Sequence, residues 1–518
     1  MMGNVPLRYP PGLVKNGTTY QNRGRWIDGN LVRFHNGTVR PIGGWTQFTD
    51  EEGIPIGPLV DDPLTKKIRA LIAWNSNDGA PNVVAGHNAG LVAVDLRTTT
   101  VAALVGAVDI TPDSFIPVGP GAISNIGYGG WYYGIDTYGT ERPEGDINNL
   151  SVFNWCFRNW GEDLLAAPRW PTSILYSWTK GDPKALDVPN APTNFNCFHV
   201  TTQRIVMTGG SLNEARLIQW SDSEDREDWT PTNFNQAGFQ IISGTGKILE
   251  IATVQDVNLI VTETDAHIAR YLGPPYVYGF DRVGDNCGAL SGASVVATEN
   301  FAVWPGKRNF FLFDGQIKPL QCDVMDELAD AFNGQYASSV VGFVNPNWSE
   351  AWWLYPDETG AMTRYVAWDW TENNWTTGFL TRTVGFGTDS FRNPGMIGED
   401  ALFYRHELLG VVPNDIAEEV SIRGGAIEIA QGEKVIYVES VVSDFVTEGA
   451  VDLYLHMRTT PTGPVRTTGP IRVNYPEPTT QPIPIRAFGH LVELEVRGAS
   501  AVWSLGELRL GIRGGGRK

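Results

Sequence analysis

An all-β fold is the expectation for this chain of 518 residues: a β-propeller of roughly six to eight blades with a C-terminal β-sandwich or jelly-roll-like domain. Three observations predict it. The composition is rich in turn formers and aromatics, with Gly 58, Pro 33 and Trp 18, as in architectures of many short strands. Sustained 3.6-residue periodicity is nearly absent. Apolar or alternating runs of roughly four to eight residues, split by Gly, Pro, Asn and Asp, fill the chain instead. Similar runs also recur at about 40–55 residues, the length of one four-stranded sheet.

Residues 1–24 read as an N-terminal basic arm. Across residues 1–50, Arg8, Lys15, Arg23, Arg25, Arg33 and Arg40 stand against only Asp28 and Asp50, in a chain of net charge −19. A basic segment on an acidic body suits an acidic neighbour, so Arg23, Arg25 and Arg33 are candidate partner-docking residues. A solvated leader is the plain alternative.

Residues 25–410 read as the propeller. "RFHNGTVRPI" (33–42) is expected to open the first blade. Asn36-Gly37 suits the positive φ values of a tight hairpin turn, Phe34 and Val39 pack inward, and Pro41 ends the strand. "LFDGQIKPL" (312–320) echoes it, with Gly315 and Pro319 in the places of Gly37 and Pro41. "VTTQRIVMTGG" (200–210), "VQDVNLIVTET" (254–264) and "ATENFAVWPGK" (297–307) form a second echo around Val206, Val261 and Val303. A polar turn ending in Trp-Thr recurs at Trp229 and Trp375, more loosely at Trp45 and Trp178. One such sheet cannot bury both faces, whereas sheets packed round an axis can.

Helix is expected at 323–332, where acidic residues suit the first turn, and "NWGEDLLAAP" (159–168) reads as one further turn. The Gly/Pro-rich "RYLGPPYVYGFDRVGD" (270–285) is a gate candidate or an ordinary blade connection. Near "VVPNDIAEE" (411–419) the texture changes. Residues 411–518 read as the C-terminal domain, with half-buried strands such as Leu508, Leu510 and Ile512 alternating with Arg509 and Gly511, and a flexible basic tail.

The chemistry is sparse. No Gly-x-Ser-x-Gly elbow or complete P-loop occurs, and "GTGK" (244–247) reads as a hairpin turn. The seven histidines are dispersed. Cys156, Cys197, Cys287 and Cys322 form no Cys-x-x-Cys pair, so zinc spacing is absent and buried reduced thiols are expected. "SDSEDREDW" (221–229) lacks the Gly of a calcium loop. Asp225 and Trp229 fit a blade turn that resembles an Asp-box instead. No cofactor and no metal is expected. "AWWLYP" (351–356) and "GWYYGID" (130–136) are candidate sugar-stacking platforms, or blade core. No apolar run reaches the length of a membrane span, and the N-terminus lacks a secretory h-region. The acidity excludes a tight grip on phosphates but allows a conduit that does not stick to DNA.

The stretches "GLVKNGTTYQNRGRWIDGNLVRFHNGTVRPIGGW", "NWGEDLLAAPR", "WSDSEDREDWTP" and "HLVELEVRGASAVWSLGELRLGIRGGGRK" resemble the tail nozzle, or tail-hub, proteins of short-tailed bacteriophages. The resemblance spans nearly the whole chain. It departs after Arg497-Gly498, where Ala499 stands in place of an arginine, which leaves a turn or contact there in doubt. It implies a hexameric ring in the virion, below an adaptor attached to the portal, that carries fibres or spikes and encloses the DNA-ejection channel, with no catalysis. The alternatives are a carbohydrate- or receptor-binding propeller, expected to expose an aromatic pocket, and a sialidase-like hydrolase, expected to gather Arg, Glu and Tyr at its axis.

Overall fold

The computed structural model describes residues 3–18, 20–49, 53, 55–77, 79, 81–94, 107–119, 152–169, 173–334, 336–387, 390–411, 420–428, 435–460, 463–473, 482–498 and 502–514. The aromatic run at 130–136, the boundary residues 412–419, Ala499 and the last four residues lie outside these.

Ten antiparallel sheets are present among the described residues, and seven of them form the propeller. Their first strands are Ile68–Asn75, Trp155–Trp160, Cys197–Val200, Ile248–Val254, Val296–Ala297, Val341–Asn345 and Val384–Phe386. Each opens a four-stranded sheet, here blades 1 to 7. These strands touch their neighbours in an unbroken cycle, and that of blade 7 touches that of blade 1. The cycle defines the axis.

Blades 1 to 6 each use four consecutive strands, whereas blade 7 uses three and takes its fourth from the start of the chain. We label the N-terminal strands β1 (Gly3–Leu7), β2 (Trp26–Asn30), β3 (Val32–His35), β4 (Thr38–Pro41) and β5 (Gly44–Gln47). β5 pairs with Phe403–Leu408, Tyr404 lying opposite Gln47. This pairing joins the two ends of the propeller and protects the edge of its last sheet.

The second sequence echo is structural. Val206, Val261 and Val303 lie in the second strands of blades 3, 4 and 5, all buried. The Trp-Thr echo falls in the connection between the third and fourth strands of blade 3 and at the start of the fourth strand of blade 6.

Several expectations are corrected. β2, β3 and β4 do not open the first blade. β2 pairs with Val420–Gly424, and the β3–β4 hairpin joins Trp503–Leu505, Val39 opposite Leu505. Residues 1–24 are no free arm, because β1 pairs with Leu508–Gly514 along its whole length. The remaining three sheets, expected from residues 411–518 alone, therefore incorporate the N-terminus. The likeness of 33–42 to 312–320 reflects shared hairpin chemistry: Asn36 (φ 50°), Gly37 (φ 73°) and Gly315 (φ 105°) are all left-handed. Pro41 ends β4, and Pro319 lies in the outermost strand of blade 5, where its missing N–H costs no ladder bond.

"NWGEDLLAAP" is a β-hairpin, not a helical turn. Gly161 (φ 62°) turns the chain between Trp155–Trp160 and Asp163–Pro168. "GTGK" is the link from blade 3 to blade 4 rather than a hairpin turn. "RYLGPPYVYGFDRVGD" lies in the two outer strands of blade 4, so it is an ordinary blade connection remote from the axis.

The α-helix expected near 323–332 is α1 (Met325–Asn333). Asp326 and Glu327 sit in its first turn, where they complement the helix dipole, and Leu328 and Phe332 bury one face. The N-terminal segment docks here: Asp326 N–H donates to Asn16 Oδ1 at 2.9 Å, and Lys15 lies 3.0 Å from Glu327. A single apolar cluster runs from Trp26, Phe34 and Trp45 through Trp352, Trp353 and Trp375 to Leu494 and Leu508, so the accessory sheets and blade 6 share a core.

Candidate functional site at the propeller axis

The axis holds a cavity of about 490 Å³ lined mainly by residues in or next to the first strand of every blade, with Arg169 following the second strand of blade 2. Its walls are unlike. Blades 5, 6 and 7 contribute mainly Val, Ala, Gly and Phe. Blades 2, 3 and 4 contribute Arg158, Arg169, His199 and Glu250, and blade 1 contributes Arg69.

Arg158, Arg169, His199 and Glu250 form one network. The Glu250 carboxylate, buried on blade 4, accepts from Arg158 Nη2 at 2.5 Å and from Arg169 Nη2. Arg158 Nε donates to His199 Nδ1 at 3.0 Å. That bond fixes the imidazole proton on Nε2, which faces Thr253 Oγ1 at 2.7 Å. Thr253 Oγ1 in turn donates to Asn258 Oδ1 at 2.9 Å. Gly292 makes room, since a Cβ there would collide with the Arg169 guanidinium and Leu249 O. Arg169 Nη1 donates to that same carbonyl at 2.8 Å.

Burial works most strongly against the charge on Arg169, but Glu250, together with Cys156 and Cys197, raises the pKa above its usual value. Burial lowers Arg69 to about 10, partly offset by Glu399. Burial and Arg158 hold His199 neutral, far below its usual range. Among the described residues, three guanidiniums and one carboxylate line the cavity. Among the described residues no Tyr lines it, so they do not assemble the Arg/Glu/Tyr set expected of a sialidase-like site.

A second charged cluster corrects the docking assignment of Arg33. Its side chain is only 1 % exposed. It pairs with Glu350 of blade 6 at 3.0 Å and with Glu407 of blade 7, under the Trp348 ring, 4.3 Å from the centroid. Trp352 Nε1 donates to Glu350 at 2.8 Å and Asn345 Nδ2 to Glu407 at 2.7 Å. Burial pushes the Glu350 carboxyl up to about 7, with Arg33 opposing and Glu407 adding to the rise. Arg23 is half exposed and pairs with Glu428 at 2.7 Å. Arg25 lies beside that accessory sheet, its carbonyl accepting from Gly425 N–H at 2.6 Å.

The expected structural turns are hydrogen-bonded. Asp225 Oδ1 accepts from Glu227 N–H at 2.9 Å, and Trp229 Nε1 donates to Arg226 O at 2.8 Å. Trp375 is buried and donates to Gln321 O at 2.9 Å. "AWWLYP" is blade core, with Trp352 and Trp353 almost fully buried, and so is not a sugar platform. All four cysteines are buried and unpaired.

The axial residues carry no sequence signature. They come from four blades, and only the circular closure brings them together. Dispersed His199 was visible; its partners were not.

The buried histidines make stability pH-dependent. Burial lowers His87 (to about 4), His199, His267 and His406. Below the ordinary value of about 6.5 the unfolded chain binds protons that the folded one refuses, so stability falls as pH falls. Glu350 and Asp369 have the opposite sign, burial raising both; folded, Glu350 holds a proton between about 4.5 and 7, which favours folding at lower pH. The four histidines outnumber these two carboxyls, so the urea midpoint is expected to drop between pH 7 and pH 5. A constant or rising midpoint would contradict this.

No family model matches the chain, and no curated protein matches it. Among solved structures, it is similar to the computationally designed Ika8 protein, at 10 % identity and TM-score 0.35 over 77 % of this chain and 99 % of that one. It is also similar to Raptor of Chaetomium thermophilum, at 10 % identity and TM-score 0.43 over 70 % of this chain. The match spans 29 % of the Raptor chain.

Proposed function

We propose that this chain is a structural subunit of a short bacteriophage tail. Copies form a nozzle or hub ring, expected to be a hexamer, below the adaptor. The DNA-ejection channel is enclosed by the ring, which also holds fibres or spikes. The protein acts in the virion after assembling in the host cytoplasm, and the role requires no catalysis. The resemblance of the sequence to such proteins motivates the reading.

The observation that carries it is an exposed apolar edge on blades 3 and 4. Phe234 is 99 % exposed, and Tyr276, Phe239, Leu272 and Ile241 are all more than half exposed. Tyr271 Oη donates to Gln236 Oε1 at 2.8 Å, tying the two segments together. Side chains of this size stay exposed on a monomer at a cost, and such patches mark association surfaces. A closed ring uses heterologous contacts of this kind.

In this reading the channel runs between copies, while the axis of each propeller keeps its own cavity of about 490 Å³. The acidity of the chain suits a wall that does not grip phosphates.

Replacing Phe234 and Phe239 together with Asp is expected to abolish ring formation while leaving the melting temperature within a few degrees. Native mass spectrometry, with and without the adaptor, checks this. A wild-type chain that stays monomeric with its adaptor and binds sugar would overturn the reading.

A further inference from the structure

We propose that the outer face of one accessory sheet, the one formed by β1, Leu508–Gly514, Ile436–Val442 and Ile483–Gly489, receives the apolar edge of blades 3 and 4 from a second copy of this chain. The inference rests on the ring reading and names the other half of its contact. A closed ring joins two different surfaces of each copy, so the Phe234 edge needs an unlike partner elsewhere on the chain.

The strand register builds that partner. Ile436, Val438, Ile485 and Ala487 enter the shared core, so the residues between them face outward. Phe488 lies opposite Tyr437, and Tyr437 opposite Arg513, which places the three in one row across three strands. The Arg513 guanidinium is 5.4 Å from the Tyr437 ring centroid, the two rings are 6.0 Å apart, and Arg466 ends the row 4.6 Å from the Phe488 centroid. Tyr437 is 40 % and Phe488 44 % exposed. Arg486, two residues before Phe488 on the same face, is exposed as well. Aromatic rings and arginine are the side chains that anchor protein contacts, and stacking orders these before a partner arrives.

Charge identifies the occupant. Arg513 is paired with Glu439 at 2.7 Å, whereas Arg466 and Arg486 meet no carboxylate among the described residues. Beside Phe234 the sign is reversed. Gln236 N–H donates to Asp222 Oδ1 at 2.7 Å and Asn235 Nδ2 to Asp228 Oδ2 at 2.8 Å, which ties the Phe234 turn to the acidic run 222–228. Glu224, Asp225 and Glu227 are exposed there, and the arginine among them, Arg226, is held by Asp163 at 2.9 Å. Rings with arginines on one surface and rings with carboxylates on the other are complementary. The two surfaces lie apart within one copy, because the accessory sheets pack through β2 on the outermost strand of blade 6, two or three places round the circle from blades 4 and 3.

Exchanging the charges tests the pairing, with native mass spectrometry of the full chain and its adaptor as the readout. Arg466→Glu with Arg486→Glu should cut the ring fraction at least tenfold, and so should Glu224→Lys with Glu227→Lys. All four substitutions together should restore it to within twofold of the wild type, a recovery that general damage to folding would not produce. All four sites are exposed, so the circular dichroism spectra should match. A ring that Phe234→Asp with Phe239→Asp disrupts but both charge variants leave intact would overturn the pairing and spare the ring reading, as would a fourfold variant that does not recover. A wild-type chain that stays monomeric with its adaptor would overturn both.

Discussion

Replacing Arg33 with alanine is expected to destabilise the protein by about 3–5 kcal/mol, the usual consequence of leaving buried charge without its partner. Two carboxylates depend on this guanidinium, Glu350 on blade 6 and Glu407 on blade 7. Their remaining donors are Trp352 Nε1 and Asn345 Nδ2, neither of which carries charge. In the variant at least one carboxylate must take up a proton to stay buried. The loss should therefore be larger at pH 8 than at pH 5, because protonation costs less in acid. Urea unfolding at both pH values gives the numbers. Arg33→Met, which keeps the stem but not the charge, should lose nearly as much. A loss below about 1 kcal/mol, the scale of an exposed ion pair, would show that the cluster is not buried in solution.

Deleting residues 3–47 is expected to abolish cooperative folding. The segment supplies the fourth strand of blade 7 and one or more strands of each accessory sheet. It buries Leu7, Leu13, Trp26, Leu31, Val32, Phe34, Val39, Ile42 and Trp45. At about 2 kcal/mol for each of these nine side chains, the loss exceeds the roughly 5–15 kcal/mol of net stability typical of a folded protein. Thermal unfolding followed by circular dichroism should show no transition for the truncated chain. Co-expression of residues 3–47 as a separate peptide should restore one, since the segment is held by pairing and packing rather than by chain continuity. A sharp transition in the truncated chain alone would refute this.

Local features were legible in the sequence, and long-range ones were not. The turn at Asn36-Gly37, the helix near 325–333 and the second strands around Val206, Val261 and Val303 follow from patterns a few residues wide. The hairpin of residues 32–41 was readable as a hairpin, but its sheet was not, because Val39 meets Leu505 at the other end of the chain. Arg33 shows the same limit. Its partners lie 317 and 374 positions away, and nothing near it in sequence distinguishes it from an exposed arginine. In "NWGEDLLAAP", Leu164, Leu165, Ala166 and Ala167 are all buried. A strand covered on both faces loses its alternation and so resembles a helical turn. The axial arginines were invisible for a topological reason, since each is an ordinary residue until the blades close into a circle.

The pairing of β1 with Leu508–Gly514 sets a timetable for biosynthesis. The first strand leaves the ribosome long before its partner exists. At roughly 5–20 residues per second, β1 waits about 25–100 s for that partner. The wait is unequal along the segment: Trp26, Phe34 and Trp45 gain core partners once Trp352, Trp353 and Trp375 have emerged, and β5 closes the circle once Phe403–Leu408 has. The propeller is thus fastened before the sheet that holds β1 is complete.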